Sequence, residues 1–395
     1  MRAAFLAVKR NRGAAGVDRV SISMFEANLQ ENLDALMRDL KSGNFRPKPL
    51  RRAHISKGPR SSKLRPLGIP VVRDRVAQAV VFRLLAPIFE PMFHAASFGF
   101  IPGRNCHMAI KRVVALNEEG LKVVLDADIQ GFFDNIPHQV IMKAVAAEVA
   151  DGTILRLVES FLSAGVMEEG VFKPTTLGTP QGGVISPLLA NIVLNHLDWQ
   201  LDAAGYCFAR YADDFVVVCQ TPEEAQEAWT LVEHVLEADL GLKLSPEKTH
   251  VTTYGKGYAF LGFHLSTRSK RMLEKSVQKY KDKIRELTIR KHNLDSEVVA
   301  KINRVIRGTA NYFGTEFSTN RWLFQKLDSW TRMRLRAMKF KRKSYNDNKK
   351  LCVGYFARKL GLLTLEEFCL VSDEHGHTRR ATPRLGQRRL GSPGE

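Results

Sequence analysis

The stretch FARYADDFVVVC, residues 208–219, sets two adjacent carboxylates inside an otherwise strongly strand-forming run. Phe208, Tyr211, Phe215, Val216, Val217 and Val218 are the aromatic and β-branched types that suit a half-buried pleated surface, so the segment reads as a hairpin with Ala-Asp-Asp at its tip. Asp213 and Asp214 repel each other, and such a pair is tolerable only where solvent, a hydrogen-bond network or a cation compensates it. Aspartate is also common in solvated turns, because its side chain bonds the local backbone. The flanking sequence has to decide between a turn and a cation site.

Residues 122–138, KVVLDADIQGFFDNIPH, begin as a strand in which Val124, Asp126 and Asp128 alternate onto one face. Between this strand and the hairpin runs TLGTPQGGVISPLLANIVLNHLDWQL, residues 176–201, a Gly-rich loop leading into a helix. Ser186 and Pro187 suit its N-cap and first turn. Leu189, Val193, Leu197 and Leu201 form its inner face. The order is acidic strand, long helix, acidic hairpin. Phosphoryl transfer to a nucleic-acid hydroxyl needs a poor nucleophile activated and a triphosphate's charge neutralised. Two divalent cations about 3.5–4 Å apart on shared carboxylates do both. Oxygen ligands select a hard ion such as Mg²⁺. In this reading Asp213, with Asp214 beside it, faces Asp128 across a sheet.

The 395 residues exceed one ordinary core, and the formal charge of +19 favours a polyanionic partner, nucleic acid or an anionic membrane. No apolar run approaches the ~20 residues of a membrane span, and the start MRAAFLAVKRNRG lacks a signal-peptide core, which implies a cytoplasmic protein without a membrane partner. Five scattered cysteines argue against a disulfide framework. The basicity is local: residues 268–360 hold 26 Lys and Arg against 8 Asp and Glu, a net +18. Three amphipathic helices are expected there, with apolar stripes Val277, Tyr280, Ile284, Leu287; Val298, Ile302, Val305, Tyr312; and Leu323, Leu327, Trp330, Met333, Ala337. Asp295 or Ser296 can cap the second. A lopsided charge of this kind favours phosphate contact over simple solvation.

Six blocks in order, KLRPLGIPVVRDRVAQAVV, SFGFIPGR, DADIQGFFDNIPH, GTPQGGVISPLLANI, RYADDFVVVC and YAFLGFHLS, resemble the reverse transcriptases encoded by bacterial group II introns. The resemblance runs from about residue 13 to about residue 340. It implies an α+β right-hand polymerase, with fingers and an antiparallel palm sheet interleaved over 1–266, an α-helical thumb or maturase X region over 267–361, and a flexible basic tail over 362–395. It implies Asp128, Asp213 and Asp214 as catalytic aspartates holding two Mg²⁺ ions, with Mn²⁺ as a substitute, and the Ile129 carbonyl as a further ligand. Asp134 suits a turn or helix cap instead. Phe133 matches the aromatic under the incoming sugar, with ordinary core packing as its competing role. Gln181 and Gly182 match the nucleotide pocket, Lys63 and Arg65 the triphosphate clamp, and Lys248 the proton donor to pyrophosphate. Phe260, Leu261 and Gly262 match the hairpin that grips the primer.

The implied partners are an RNA template, a DNA primer or RNA–DNA duplex, dNTPs and group II intron RNA. Ile101 and Gln130 stand where the family commonly has Arg and Lys, and each removes a positive charge. The start lies close to the first block, and the end gives no sign of an endonuclease. The function expected is RNA-directed DNA synthesis with help to intron splicing. A related polymerase serving DNA repair or phage defence, and a non-enzymatic RNA-binding splicing factor, are the alternatives.

Overall fold

The computed structural model describes residues 1–56, 64–179, 182–372 and 378–380. Its strands follow the β-branched and aromatic runs. Met1–Tyr254 forms one compact unit with β1 (Leu50–Ser56), β2 (Leu64–Ile69), β3 (Val123–Asp128), β4 (Val166–Glu168), β5 (Val171–Lys173), β6 (Cys207–Tyr211), β7 (Asp214–Cys219) and β8 (His250–Thr253). A second unit begins at Gly255, with β9 (Tyr258–Phe260), β10 (Phe263–Leu265) and β11 (Lys270–Met272).

In the first unit β6, β7, β3 and β8 lie side by side in that order, each antiparallel to its neighbour. Alternation divides β3 and β7 between two faces. Val123, Leu125 and Ala127, with Phe215, Val217 and Cys219, enter the main hydrophobic core. The helices Cys106–Glu118, Ser186–Ala203 and Pro222–His234 pack against this sheet. Each Val, Leu or Phe buried there contributes roughly 1.5–3 kcal/mol. A slip of one residue would exchange these side chains for Asp126, Asp128 and Asp214, so the apolar face fixes where the carboxylates stand. A second sheet has the order β2-β1-β4-β5, with β1 antiparallel to β2 and parallel to β4.

Leu189, Val193, Leu197 and Leu201 are fully buried, as their spacing predicts. The helix starts differently from expectation: Ile185 holds the N-cap position and Ser186 is already its first residue, itself buried. The loop before it is held from the side, where Val184 N–H donates to Gln78 Oε1 at 2.8 Å.

In the second unit the three expected helices are Glu274–Leu287, Ser296–Phe313 and Arg321–Lys339. Asp295 caps the second by accepting from Val298 N–H at 2.8 Å. Two stripes are rotated from their predicted phase. Val299, Ile302, Ile306, Ala310 and Phe313 are buried in the second helix, and Phe324, Leu327, Thr331, Leu335 and Met338 in the third. Both phases fit a 3.6-residue period, and the one that forms buries Phe313 and Phe324. Leu323, Trp330 and Met333 are left half-buried. Leu362, Leu365 and Cys369 are buried, and Asp328 accepts from the Leu365 and Glu366 N–H groups at 2.8 and 3.1 Å. Residues expected to open a flexible tail at 362 are therefore packed as far as Cys369. Among the described residues, no helix is long and apolar enough to cross a membrane.

Candidate active site

The hairpin at 208–219 forms with a turn of two residues, Ala212 and Asp213, so that Tyr211 and Asp214 are its last register pair. Ala212 has φ +60°, a left-handed conformation that costs a non-glycine residue of order 1–3 kcal/mol. Arg210, wholly buried, holds it there. Its Nε and Nη2 donate to Asp198 Oδ1 and Oδ2 at 2.7 and 2.5 Å. Its Nη1 donates to Asn191 Oδ1 at 3.0 Å and to the Ala212 carbonyl at 2.9 Å. Asn191 Nδ2 in turn donates to the Gly99 carbonyl at 2.7 Å. Gly99 lies so close to the turn that a Cβ there would stand 2.3 Å from Ala212 N. Only glycine permits that approach. The sequence reading missed Arg210, Asp198 and Asn191. The available signal was polar side chains within a helix of buried leucines and a strand of buried valines.

Asp128 and Asp214 are opposite one another in the β3–β7 register, and Asp126 lies two residues back on the same face. It is Asp214, rather than Asp213, that faces Asp128 across the sheet, because the two-residue turn leaves 214 as the first strand position. Burial pushes the Asp214 carboxyl up to about 7, with Asp126, Asp213 and Asp128 adding repulsion and Lys248 opposing it. Burial raises Asp126 to about 6, against the pull of His250, whose Nε2 lies 4.0 Å from its Oδ2. Asp213 is also raised, chiefly by burial and by Asp128, while Arg65 and Lys248 act in the opposite sense. Lys248 Nζ donates to Asp128 Oδ2 at 2.7 Å. Among the described residues, no group of three or more His, Cys, Asp or Glu side chains is gathered tightly enough to hold a metal ion.

These shifts set a pH dependence. Asp214, Asp126 and Asp74 (also raised by burial to about 6) bind protons more tightly folded than at their ordinary value of 3.8. Their contribution to stability is complete below about 4 and is lost as pH rises through 6 to 7. Without divalent cations the melting temperature of the protein should therefore be lower at pH 8 than at pH 5. Added Mg²⁺ should narrow that gap, and a melting curve indifferent to Mg²⁺ at pH 8 would contradict a cation role for these carboxylates.

Other expected site residues fall into three groups. Arg65, Phe133, Gly182 and Lys248 belong to the same unit as the aspartates. Phe133 lines a cavity of about 210 Å³ with Arg52, Pro66, Gly68 and Gly178. Gly182 has φ +123°, and a Cβ on it would meet the Gly68 carbonyl at 2.7 Å. Beside Ile129, Gln130 N–H donates to Lys243 O and Ser245 N–H to Asp128 O, both at 2.8 Å, so the Ile129 carbonyl takes no part in either bond. Lys63 and Gln181 lie outside the described residues. Phe260, Leu261 and Gly262 belong to the second unit, where Leu261 (φ +45°) and Gly262 (φ +82°) make the two-residue turn between β9 and β10. Tyr312 Oη donates to the Leu261 carbonyl at 2.8 Å.

An antiparallel sheet in the order β6-β7-β3-β8, with helices behind it and carboxylates at one end of its two central strands, is the palm of a right-hand polymerase. The chain belongs to the reverse transcriptase (RNA-dependent DNA polymerase) family, which it matches over residues 55–265. Residues 277–353 match the maturase-specific domain of group II introns. It is 35% identical to Protein YkfC of Escherichia coli K12 over 66% of this chain and 78% of that one. It is 28% identical to the group II intron-encoded protein LtrA of Lactococcus lactis over 74% of this chain and 65% of that one. A telomerase from Candida albicans, solved with a fragment of telomeric RNA, is similar over 86% of this chain and 68% of its own, with a TM-score of 0.48 and 11% identity.

Proposed function

We propose that the first unit extends a primer with dNTPs on an RNA template at the end of the sheet bearing Asp128, Asp213 and Asp214, and that the basic second unit binds group II intron RNA. The observation that carries this reading is the crowding of carboxylates at one end of the two central strands, where Asp214 faces Asp128 in register and burial makes the Asp214 charge costly to hold unaided. The donors suit a hard divalent ion: all are oxygens, and their mutual repulsion is relieved by added positive charge. Bound Mg²⁺, two ions with Mn²⁺ as a substitute, would lower the pKa of the primer hydroxyl and neutralise the departing pyrophosphate.

The chain's own residues then have distinct tasks. Asp128, Asp213 and Asp214 would hold the cations, with the Ile129 carbonyl as a further oxygen. Arg65 and Lys248 supply positive charge at the same carboxylates, where a triphosphate's negative charge accumulates. Lys63 and Gln181 complete the nucleotide contacts in this reading. Phe133, with Arg52 and Gly68 around its cavity, lies under the incoming sugar. Residues 1–266 serve as fingers and palm, 267–361 as thumb, and Phe260, Leu261 and Gly262 grip the primer.

Primer extension on an RNA template with Mg²⁺, comparing deoxy- and ribonucleotides, tests this. Deoxynucleotides should be incorporated and ribonucleotides rejected, and Phe133→Ala should admit ribonucleotides by about tenfold or more, the scale at which removing steric bulk relaxes a pocket. A wild-type protein that binds the primer and template but extends with neither nucleotide would overturn the reading.

A further inference from the structure

The second unit contains a cavity of about 430 Å³ between the helix Arg321–Lys339 and the segment that follows it. Protein interiors rarely leave voids larger than a water molecule, whereas ligand sites occupy roughly 300–1,000 Å³. Trp330 and Met333, which the helical period would place in the core, line this space instead, together with Arg336, Lys343, Tyr345 and Asn348. No carboxylate is among the described residues that line it.

Three features point to the kind of ligand. Tyr345 is 85% exposed, so its ring is offered to a partner and not spent on packing. Trp330 already carries the Arg285 guanidinium, 5.4 Å from its ring centre, and is only half-buried. Arg336 is 9% exposed and fixed from behind: its Nε donates to the Leu351 carbonyl at 2.9 Å, and its guanidinium lies 5.1 Å from the Phe356 ring centre. The rigid, largely desolvated cation favours a ligand with an anionic group, and the aromatic rings favour one with a planar group. Asn348 adds both a donor and an acceptor, the equipment needed for the edge of a base.

We propose that this cavity receives a single unpaired nucleotide of RNA, its base stacked on Tyr345 and Trp330 and its phosphate beside Lys343. The proposal rests on the reading that the second unit binds RNA, and it adds that the bound RNA is recognised where one base leaves the helix. Double-stranded RNA hides its base edges, so protein recognition of this kind selects bulges and loops. The basic surface attracts any RNA; the cavity distinguishes a bulged one.

The test uses the full chain and two RNA hairpins, identical except that 2-aminopurine is bulged in one and paired in the other. The wild-type protein should bind the bulged hairpin about tenfold more tightly, in line with base–aromatic stacking, and quench its fluorescence. Tyr345→Ala should lose both the preference and the quenching while binding the paired hairpin as before, and Tyr345→Phe should keep them. Equal wild-type affinity for the two hairpins with unchanged fluorescence, or a Tyr345→Ala protein that keeps the preference, would overturn it. Primer extension on the same preparations separates this from the polymerase reading. Extension without bulge preference removes only the cavity proposal, and bulge preference without extension removes only the polymerase.

Discussion

Replacing Asp213 by alanine should reduce primer extension by about a thousandfold or more while leaving RNA affinity nearly unchanged. Metal-held charge stabilisation is worth several kcal/mol, and each 1.36 kcal/mol is a tenfold in rate. The variant should fold. Asp213 is a turn residue whose ionised form is disfavoured by burial and by Asp128, so its removal relieves repulsion at the loss of a hydrogen bond to its own backbone. The expected pattern is thus a melting temperature at or above wild type in the absence of divalent cations, together with loss of DNA synthesis. DNA synthesis at the wild-type rate by this variant would refute its place in the catalytic set.

Asp198→Ala should cost about 3–5 kcal/mol, because it leaves the buried Arg210 guanidinium without its counter-charge. Asp202, on the same helix, provides the comparison. It pairs with His94 at 3.2 Å but is 51% exposed, and a pair of that kind is worth about 1 kcal/mol or less. Urea unfolding of the two variants measures the difference directly. Asp198→Ala should also slow primer extension beyond any loss of folded protein, since Arg210 would no longer hold the Ala212 carbonyl in a strained turn. An Asp198 variant as mild as the Asp202 variant would show that the ion pair does not position the hairpin.

The hairpin at 208–219, the acidic strand before it and the long helix between them were legible because each has a strong period and a punctuating turn. Helix existence was equally plain in the basic segment, but helix phase was not. Val298 or Val299, and Leu323 or Phe324, satisfy the same spacing, and the choice depends on which neighbours are there to be packed against. The identity of the strand partner was readable only to within one residue. Asp213 and Asp214 are equivalent in a sequence, and the length of the turn assigns Asp214 to the register with Asp128. The Arg210–Asp198–Asn191 network was hidden because its members are separated along the chain and belong to residue types that usually face water. The cavity beside Trp330 was hidden for the opposite reason, since an aromatic at helical spacing is ordinarily core.

Asn191, Asp198 and Ala212 meet around the Arg210 guanidinium, and Asn191 ties them to the Gly99 carbonyl more than ninety positions earlier. The tie to Gly99 has no local precursor, and long-range closure is entropically costly until its rewards are all available. A ribosome-bound chain that has not yet emerged past residue 212 cannot assemble the whole junction. The capacity to act on a nucleic acid should therefore arrive abruptly, late in the maturation of this unit, and half-made molecules should be inert.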